Sequence, residues 1–270
     1  AFFAAGIGNA LRTKLIKHHF TLFLNVALSV STACLIYACL LKAAELLFHI
    51  SVLHEAGYIC SMLFIIPGFP FITSGIDLAK LDLRSGLERL TYSVIIVLVA
   101  TMFAWIMALI LKLQPVDFLS IHLGTGTLLV FRLIASFCGV FGFSIMFNSP
   151  VPMAATAALI GALANTLRLE LVDLAGLPPA AAAFIGALTA GLLASAIKQY
   201  NGYPRISLTV PSIVIMVPGL YLYRAIYNFG IMSLTEAVSW FAAAAMIIMA
   251  LPLGLIFARI LTDHTFRYCT

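Results

Sequence analysis

Apolar runs of about twenty residues, separated by short polar and basic stretches, occupy almost the whole chain. A membrane-spanning helix needs about 20 mostly apolar residues. Nine runs meet that description: roughly 1–16 (cut short), 20–44, 56–79, 87–111, 127–147, 151–171, 178–197, 206–229 and 237–261. Strands of a membrane barrel alternate apolar and polar residues over about ten positions. The run SVIIVLVATMFAWIMALIL does not alternate. The pattern predicts an all-α integral membrane protein with short connections and no room for a folded soluble domain.

Composition agrees. Hydrophobic residues make up 63% of the 270 and charged residues 9%, with a mean hydropathy of +1.12. Soluble domains carry about 25% charged residues, so this chain cannot cover itself with a water-facing surface, and its surroundings are the lipid bilayer. The formal charge of +5 would suggest nucleic acid in a polar protein. Here Lys and Arg lie between apolar segments and set orientation, so no nucleic acid is expected. The loops near 12–19, 80–89, 148–150 and 198–205 and the end after 259 carry ten basic residues, Arg12 and Arg267 included. The opposite side receives five: Lys42, Lys112, Arg132, Arg168 and Arg224. The positive-inside rule then places the C-terminus in the cytoplasm of a multi-pass inner-membrane protein. Cys34, Cys39, Cys60, Cys138 and Cys269 show no CxxC pairing and read as small apolar side chains. The six histidines show no ligand spacing, so neither a metal nor a cofactor is expected. The chain opens at Ala1 inside an apolar run without a charged leader. That does not read as a signal peptide, and the expectation is further chain upstream.

The stretch IIPGFPFITSGIDLA, Ile65–Ala79, puts Pro67-Gly68 and Pro70 inside oil. IVIMVPGLYLYRAIYNFG, Ile213–Gly230, does the same with Pro218-Gly219, 151 residues later, placing Asp77 opposite Asn228. A second match pairs GNALRTKL at 8–15 with ANTLRLEL at 164–171, an offset of 156. Two ordered matches at similar spacing predict an internal repeat. The second unit shows five spans and the first four, so one helix is expected before Ala1, giving nine visible spans of ten. An odd number of spans inverts one unit against the other, the arrangement of many secondary transporters. The predicted organisation is a first repeat at 1–111, a connecting loop at 112–126, a second repeat at 127–261 and a tail at 262–270.

The succession PGFPFITSGIDLAKLDLRSGLERL, GFSIMFNSPVPMAATAALIGALANTLR and VPGLYLYRAIYNF resembles the threonine/serine exporter family over nearly the whole chain. Members carry their two halves fused or as separate small membrane proteins, usually with a soluble region ahead of the first helix, which this chain lacks. The resemblance implies export of a small polar metabolite, threonine and serine or a small dicarboxylate.

Proline within a helix removes a backbone hydrogen bond and crowds the preceding turn, and a neighbouring Gly lets the chain leave helical geometry. In lipid such a break persists only where protein or a water-filled cavity satisfies the freed groups. The restarted half-helix points N–H groups and partial positive charge forward, which suits a substrate carboxylate. The alternative is a structural kink, and matching breaks in both halves favour a binding role. The candidate substrate-binding residues are Pro67, Gly68, Thr73 and Ser74 at the first break, Pro218, Gly219, Tyr221, Arg224 and Asn228 at the second, and Asn9 and Asn165 at matching repeat positions. Arg224 suits a carboxylate clamp, a membrane-edge anchor or a salt bridge to Asp77. Asp77 is the candidate for proton coupling, with a charged helix end as its alternative. The four asparagines Asn9, Asn25, Asn148 and Asn165 serve either the pathway or helix-to-helix hydrogen bonds, Asn148 more simply a turn. Gly186/Ala190 and Ala187/Gly191 read as close helix packing.

The leading function is therefore a secondary transporter working by alternating access, with protons as the expected coupling ion and a homo-oligomer left open. A channel or non-transporting membrane subunit is the alternative. An intramembrane enzyme is disfavoured, because the chain has no GxSxG, no HExxH and a single Asp near the hydrocarbon core. No P-loop for ATP is present either.

Overall fold

The computed structural model describes residues 1–48, 56–113 and 124–264. Much of the expected connecting loop at 112–126 and of the tail at 262–270, with Arg267 and Cys269, lies outside the described residues. Every regular element among the described residues is helical. In chain order they are α1 (Phe2–Lys17), α2 (Leu22–Phe48), α3 (Ala56–Met62) running into a 3-10 turn (Leu63–Ile65), α4 (Gly68–Ala79), α5 (Leu83–Ile110), α6 (Thr125–Met146), α7 (Val151–Asp173), α8 (Pro179–Asn201), α9 (Arg205–Val214), α10 (Gly219–Gly230) and α11 (Leu234–Thr262).

Six of these, α2, α5, α6, α7, α8 and α11, are long and apolar enough to cross a membrane. The predicted spans at 56–79 and 206–229 are each a bent pair, α3 with α4 and α9 with α10, so up to eight crossings are counted by length and composition. The first run forms the 16-residue α1. Large apolar side chains such as Leu98, Phe131, Ile134, Leu159, Met249 and Phe257 lie exposed on these helices. In water such a surface would be a liability; against acyl chains it is the expected outer face of a membrane protein.

The chain forms two compact units that do not follow its two halves. The first comprises residues Ala1–Pro67, Thr91–Ile121 and Gly219–Ala242, and the second Gly68–Leu90, His122–Pro218 and Ala243–Thr270. The chain changes unit at Pro67/Gly68 and again at Pro218/Gly219, the two predicted breaks. Unit 1 thus joins α1, α2 and α3 to α10, a half-helix from late in the sequence. Unit 2 joins α6, α7, α8 and α9 to α4, the corresponding half-helix from early in it.

Lipid tails are as apolar as Leu, so helices associate in membranes through close packing and hydrogen bonds rather than hydrophobic burial. Unit 2 follows that rule. A Cβ on Gly161 of α7 would stand 2.8 Å from the Ser212 carbonyl oxygen of α9, and Ser212 Oγ donates to the Ala157 carbonyl at 2.9 Å. On α8, Ala187 and Ala190 are fully buried, and Gly191 faces Ala258 of α11 so closely that an added Cβ would collide with the Ala258 methyl group. The small residues predicted to mediate packing do so. Unit 1 has an apolar core in which Val26, Val30 and Tyr37 of α2 join Tyr58 and Met62 of α3, Ile96 and Ala104 of α5, and Tyr223 of α10.

Candidate functional site

Both breaks are built alike. Proline lacks an N–H, so the carbonyl four residues earlier loses its usual helical donor. Those carbonyls belong to Leu63 and Val214, and each is recovered by a tighter bond, from Ile66 N and from Val217 N, both at 3.1 Å. Helix resumes at Gly68 and at Gly219, and α4 and α10 are each 12 residues long.

Their far ends match as well. Lys80 N donates to the Ile76 carbonyl at 3.2 Å and Ile231 N to that of Tyr227 at 3.1 Å; Asp82 N reaches the Asp77 carbonyl at 3.0 Å and Ser233 N that of Asn228 at 2.9 Å. Each helix then turns on a bulky residue in left-handed conformation, Leu81 (φ 63) and Met232 (φ 62), which is uncommon for such side chains. Every one of these pairs is 151 positions apart.

The glycines opening the restarted helices meet equivalent surroundings. In unit 2 a Cβ on Gly68 would lie 3.0 Å from Val214 Cγ1 and 3.3 Å from Val217 Cγ2. In unit 1 a Cβ on Gly219 would lie 2.5 Å from Ile66 Cδ1 and 2.7 Å from Leu63 Cδ2. Leu63 and Ile66 are the 151-residue counterparts of Val214 and Val217. Each half-helix therefore starts against the last turn before the break of the opposite sequence half.

An arginine attends each break. Arg168 Nη1 of α7 donates to the Met216 carbonyl at 3.2 Å, and Arg12 Nη1 of α1 lies 3.5 Å from the Phe64 carbonyl. Both carbonyls sit where the helical ladder is interrupted, so a cation's N–H groups replace the missing donors. These are the two arginines of the matched GNALRTKL and ANTLRLEL segments. Their expected place in polar loops is corrected: both are part-buried on helices, because bonding a freed carbonyl satisfies guanidinium and backbone together.

In unit 2, Thr73 and Ser74 are 3% and 1% exposed. Their hydroxyls donate back along α4, Thr73 to the Phe69 carbonyl at 3.1 Å and Ser74 to that of Phe71 at 2.8 Å, leaving their oxygens able to accept. Asp77 pairs with Arg89 of α5 at 3.0 Å. Asn165 is buried and donates through Nδ2 to Ser136 Oγ of α6 at 2.9 Å. Its Oδ1 and the Oγ1 of neighbouring Thr166 are buried without a hydrogen-bond partner among the described residues.

In unit 1, Tyr221 and Arg224 of α10 both pack on Trp240 of α11. The rings of Tyr221 and Trp240 meet edge to face at 5.3 Å, and the Arg224 guanidinium carbon lies 4.6 Å from the indole centroid. Trp240 thus acts as a platform for both side chains. Asn228 Nδ2 donates to the Arg224 carbonyl at 2.8 Å. Asn9 is half-buried, its carbonyl accepting from Thr13 Oγ1 at 2.9 Å. Asn25 donates to the Arg12 carbonyl at 3.4 Å and accepts from Ser29 at 3.2 Å, which ties α2 to the arginine-bearing helix α1. Asn148 takes the turn position expected of it, with φ 59. Of the predicted site residues, unit 1 holds Asn9, Pro67, Gly219, Tyr221, Arg224 and Asn228, and unit 2 holds Gly68, Thr73, Ser74, Asp77, Asn165 and Pro218.

Two family models match the chain: one described as a threonine/serine exporter over residues 1–112, and one described as Threonine/Serine exporter, ThrE, over residues 132–261. The chain belongs to the threonine/serine exporter family. It carries both halves in one polypeptide, and its membership makes it a multi-pass membrane transporter for a small polar amino acid. No curated protein and no solved structure matches the chain.

Two features of this exporter were missed in the sequence. Arg132 of α6, taken for a loop charge, is paired with Glu170 at 2.8 Å and with Asp173, both on α7. Tyr58 of α3 donates to the Ala104 carbonyl at 2.6 Å and stacks edge-on with Tyr37 and Tyr223. The three-residue spacing of Glu170 and Asp173 on one helical face was a signal for the first. Nothing in the local sequence signals the second, whose residues come from α2, α3, α5 and α10.

Proposed function

We propose that the chain exports threonine and serine, or a small dicarboxylate, from the cytoplasm by alternating access between two inverted repeats, with protons as the coupling ion. The observation that carries the reading is the equivalence of the two breaks, residue for residue at an offset of 151. Broken helices of this kind hold substrate and coupling ions in inverted-repeat transporters. The substrate carboxylate would lie against the N–H groups opening α4, or at the equivalent opening of α10, where the partial charge is likewise positive and Arg224 of the same helix is a second anion partner. The hydroxyl oxygens of Thr73 and Ser74 and the unpartnered Oδ1 of Asn165 would accept from an ammonium or hydroxyl group. Asp77 is the proposed proton carrier, and a proton on its carboxylate would replace the charge that Arg89 now supplies. The C-terminus is proposed to be cytoplasmic, following the basic bias of the chain.

The test is flux in liposomes containing the purified full-length chain. Saturable, proton-sensitive countertransport of threonine or serine is expected, abolished by Thr73→Ala, Asp77→Ala or Arg224→Ala with insertion and folding retained. Fast flux that follows the gradient without saturation would establish a channel instead, and normal transport by all three variants would remove the proposed site.

A further inference from the structure

Unit 2 has a half-open cavity of about 640 Å³ at one end of its helices. The C-terminal ends of α4, α8 and α11 and the first turn of α9 bound it. Four cations, Lys80, Lys198, Arg205 and Arg259, line it against one carboxylate, Asp263. Three of them have an ordinary electrostatic reason to be there, since a helix C-terminus carries partial negative charge and favours Lys or Arg. Arg205 has none. It opens α9, where the helix end is itself positive, and it shares the cavity with Arg259. It is nonetheless fixed, with Nη1 at 2.9 Å from Thr262 Oγ1 and Nη2 at 3.3 Å from the Gly191 carbonyl. Asp263 pairs with Arg259 at 3.6 Å, so one carboxylate stands against four cations. A held cation at the positive end of a helix, with Lys80 and Lys198 beside it, leaves an excess of positive charge that an anion relieves.

The remaining walls decide which anion. Ile76, Leu192, Ile206, Leu255 and Ile256 line the same space, and of these Leu192 and Ile206 are 37% and 50% exposed. A free phosphate or carboxylate ion has no use for apolar walls. An amphipathic anion uses both parts. Basic pockets between membrane helices are known binding places for anionic headgroups, and guanidinium matches phosphate oxygens in geometry as well as charge.

We propose that this cavity binds the phosphate of an anionic phospholipid, anchored by Arg205 and surrounded by Lys80, Lys198 and Arg259, with an acyl chain along the apolar walls. This inference is independent of the transported substrate and of the residues assigned to transport.

Native mass spectrometry of the full-length chain in detergent, titrated with phosphatidylglycerol or phosphatidylcholine, tests it. Phosphatidylglycerol is expected to be retained in preference to phosphatidylcholine. Cations at a membrane surface contribute roughly fivefold each to such binding, so Lys80→Gln/Lys198→Gln should weaken retention about thirtyfold and Lys198→Gln alone about fivefold. Both lysines extend from helix ends, and unchanged helicity by circular dichroism serves as the folding control. Equal retention of the two lipids, or retention unaffected by the double variant, overturns the proposal. So does displacement of the lipid by millimolar inorganic phosphate, which would identify a free-anion site. Threonine flux measured on the same variants reports separately on transport.

Discussion

Replacing Arg168 with Met keeps much of the side-chain volume and removes the donor that reaches the Met216 carbonyl at 3.2 Å. A hydrogen bond to a charged group contributes about 1.5–3 kcal/mol in soluble proteins, whereas polar pairs between membrane helices average about 0.6 and reach about 1.7 kcal/mol. Charge on the donor and a carbonyl at an interrupted ladder both argue for the upper end of the membrane range. A loss of about 1–2 kcal/mol follows, which at about 2–4 °C per kcal/mol lowers the unfolding midpoint by roughly 2–8 °C in a chain of this size. Arg12 stands 3.5 Å from its carbonyl, close to the limit for a hydrogen bond, so Arg12→Met should cost less. Arg168→Lys should restore only part of the loss, because a single ammonium cannot reproduce the planar fork of guanidinium donors. The assay is thermal unfolding of purified variants in detergent, paired with threonine exchange in liposomes. Arg168→Met indistinguishable from the parent in both measurements, or a larger effect at Arg12, would refute the reasoning that these arginines support the breaks.

Two further outcomes are expected. Gly161→Ala places a methyl group 2.8 Å from the Ser212 backbone oxygen, a contact that a flexible side chain cannot relieve, and should destabilise by about 1–3 kcal/mol; an unaltered unfolding midpoint would contradict the close approach of α7 to α9. Asp77→Asn breaks the pair with Arg89, whose side chain is 50% exposed, so its effect on stability should stay below about 1 kcal/mol. Proton-sensitive countertransport of threonine should be lost in that variant as in Asp77→Ala, and transport with a pH profile matching the parent would dismiss Asp77 as the proton carrier.

Much of the architecture was legible from the chain because its signals are local. Twenty apolar residues in succession specify a spanning helix regardless of what surrounds it, and Pro67 and Pro218 interrupt helices by removing their own N–H groups. The pairing of small residues on α8 was readable for the same reason. The site was less legible. Arg12 and Arg168 fell in segments whose resemblance was noticed, yet a basic residue near the end of an apolar run usually marks a loop. Only the folded chain shows that each finds a carbonyl beside a helix break some fifty residues away, Phe64 for Arg12 and Met216 for Arg168. For Asp77 the sequence offers a proton carrier or a charged helix end, with Arg224 as a candidate partner; its partner Arg89 lies in the second turn of the next helix, at a distance that sequence spacing does not fix.

The sequence by itself determined that the chain lives in a bilayer, where its helices break, and that the breaks recur at a fixed interval. Composition, helical period and proline chemistry act over a few residues and need no knowledge of neighbours. The tertiary structure alone decided that α4 joins the unit of the second half and α10 that of the first. In a membrane every helix presents a similarly oily face, so partner choice rests on side-chain shape, on glycines such as Gly68 and Gly219 that admit the opposing turn, and on a few buried hydrogen bonds. Those complementarities arise between distant segments and exist only once the chain is folded.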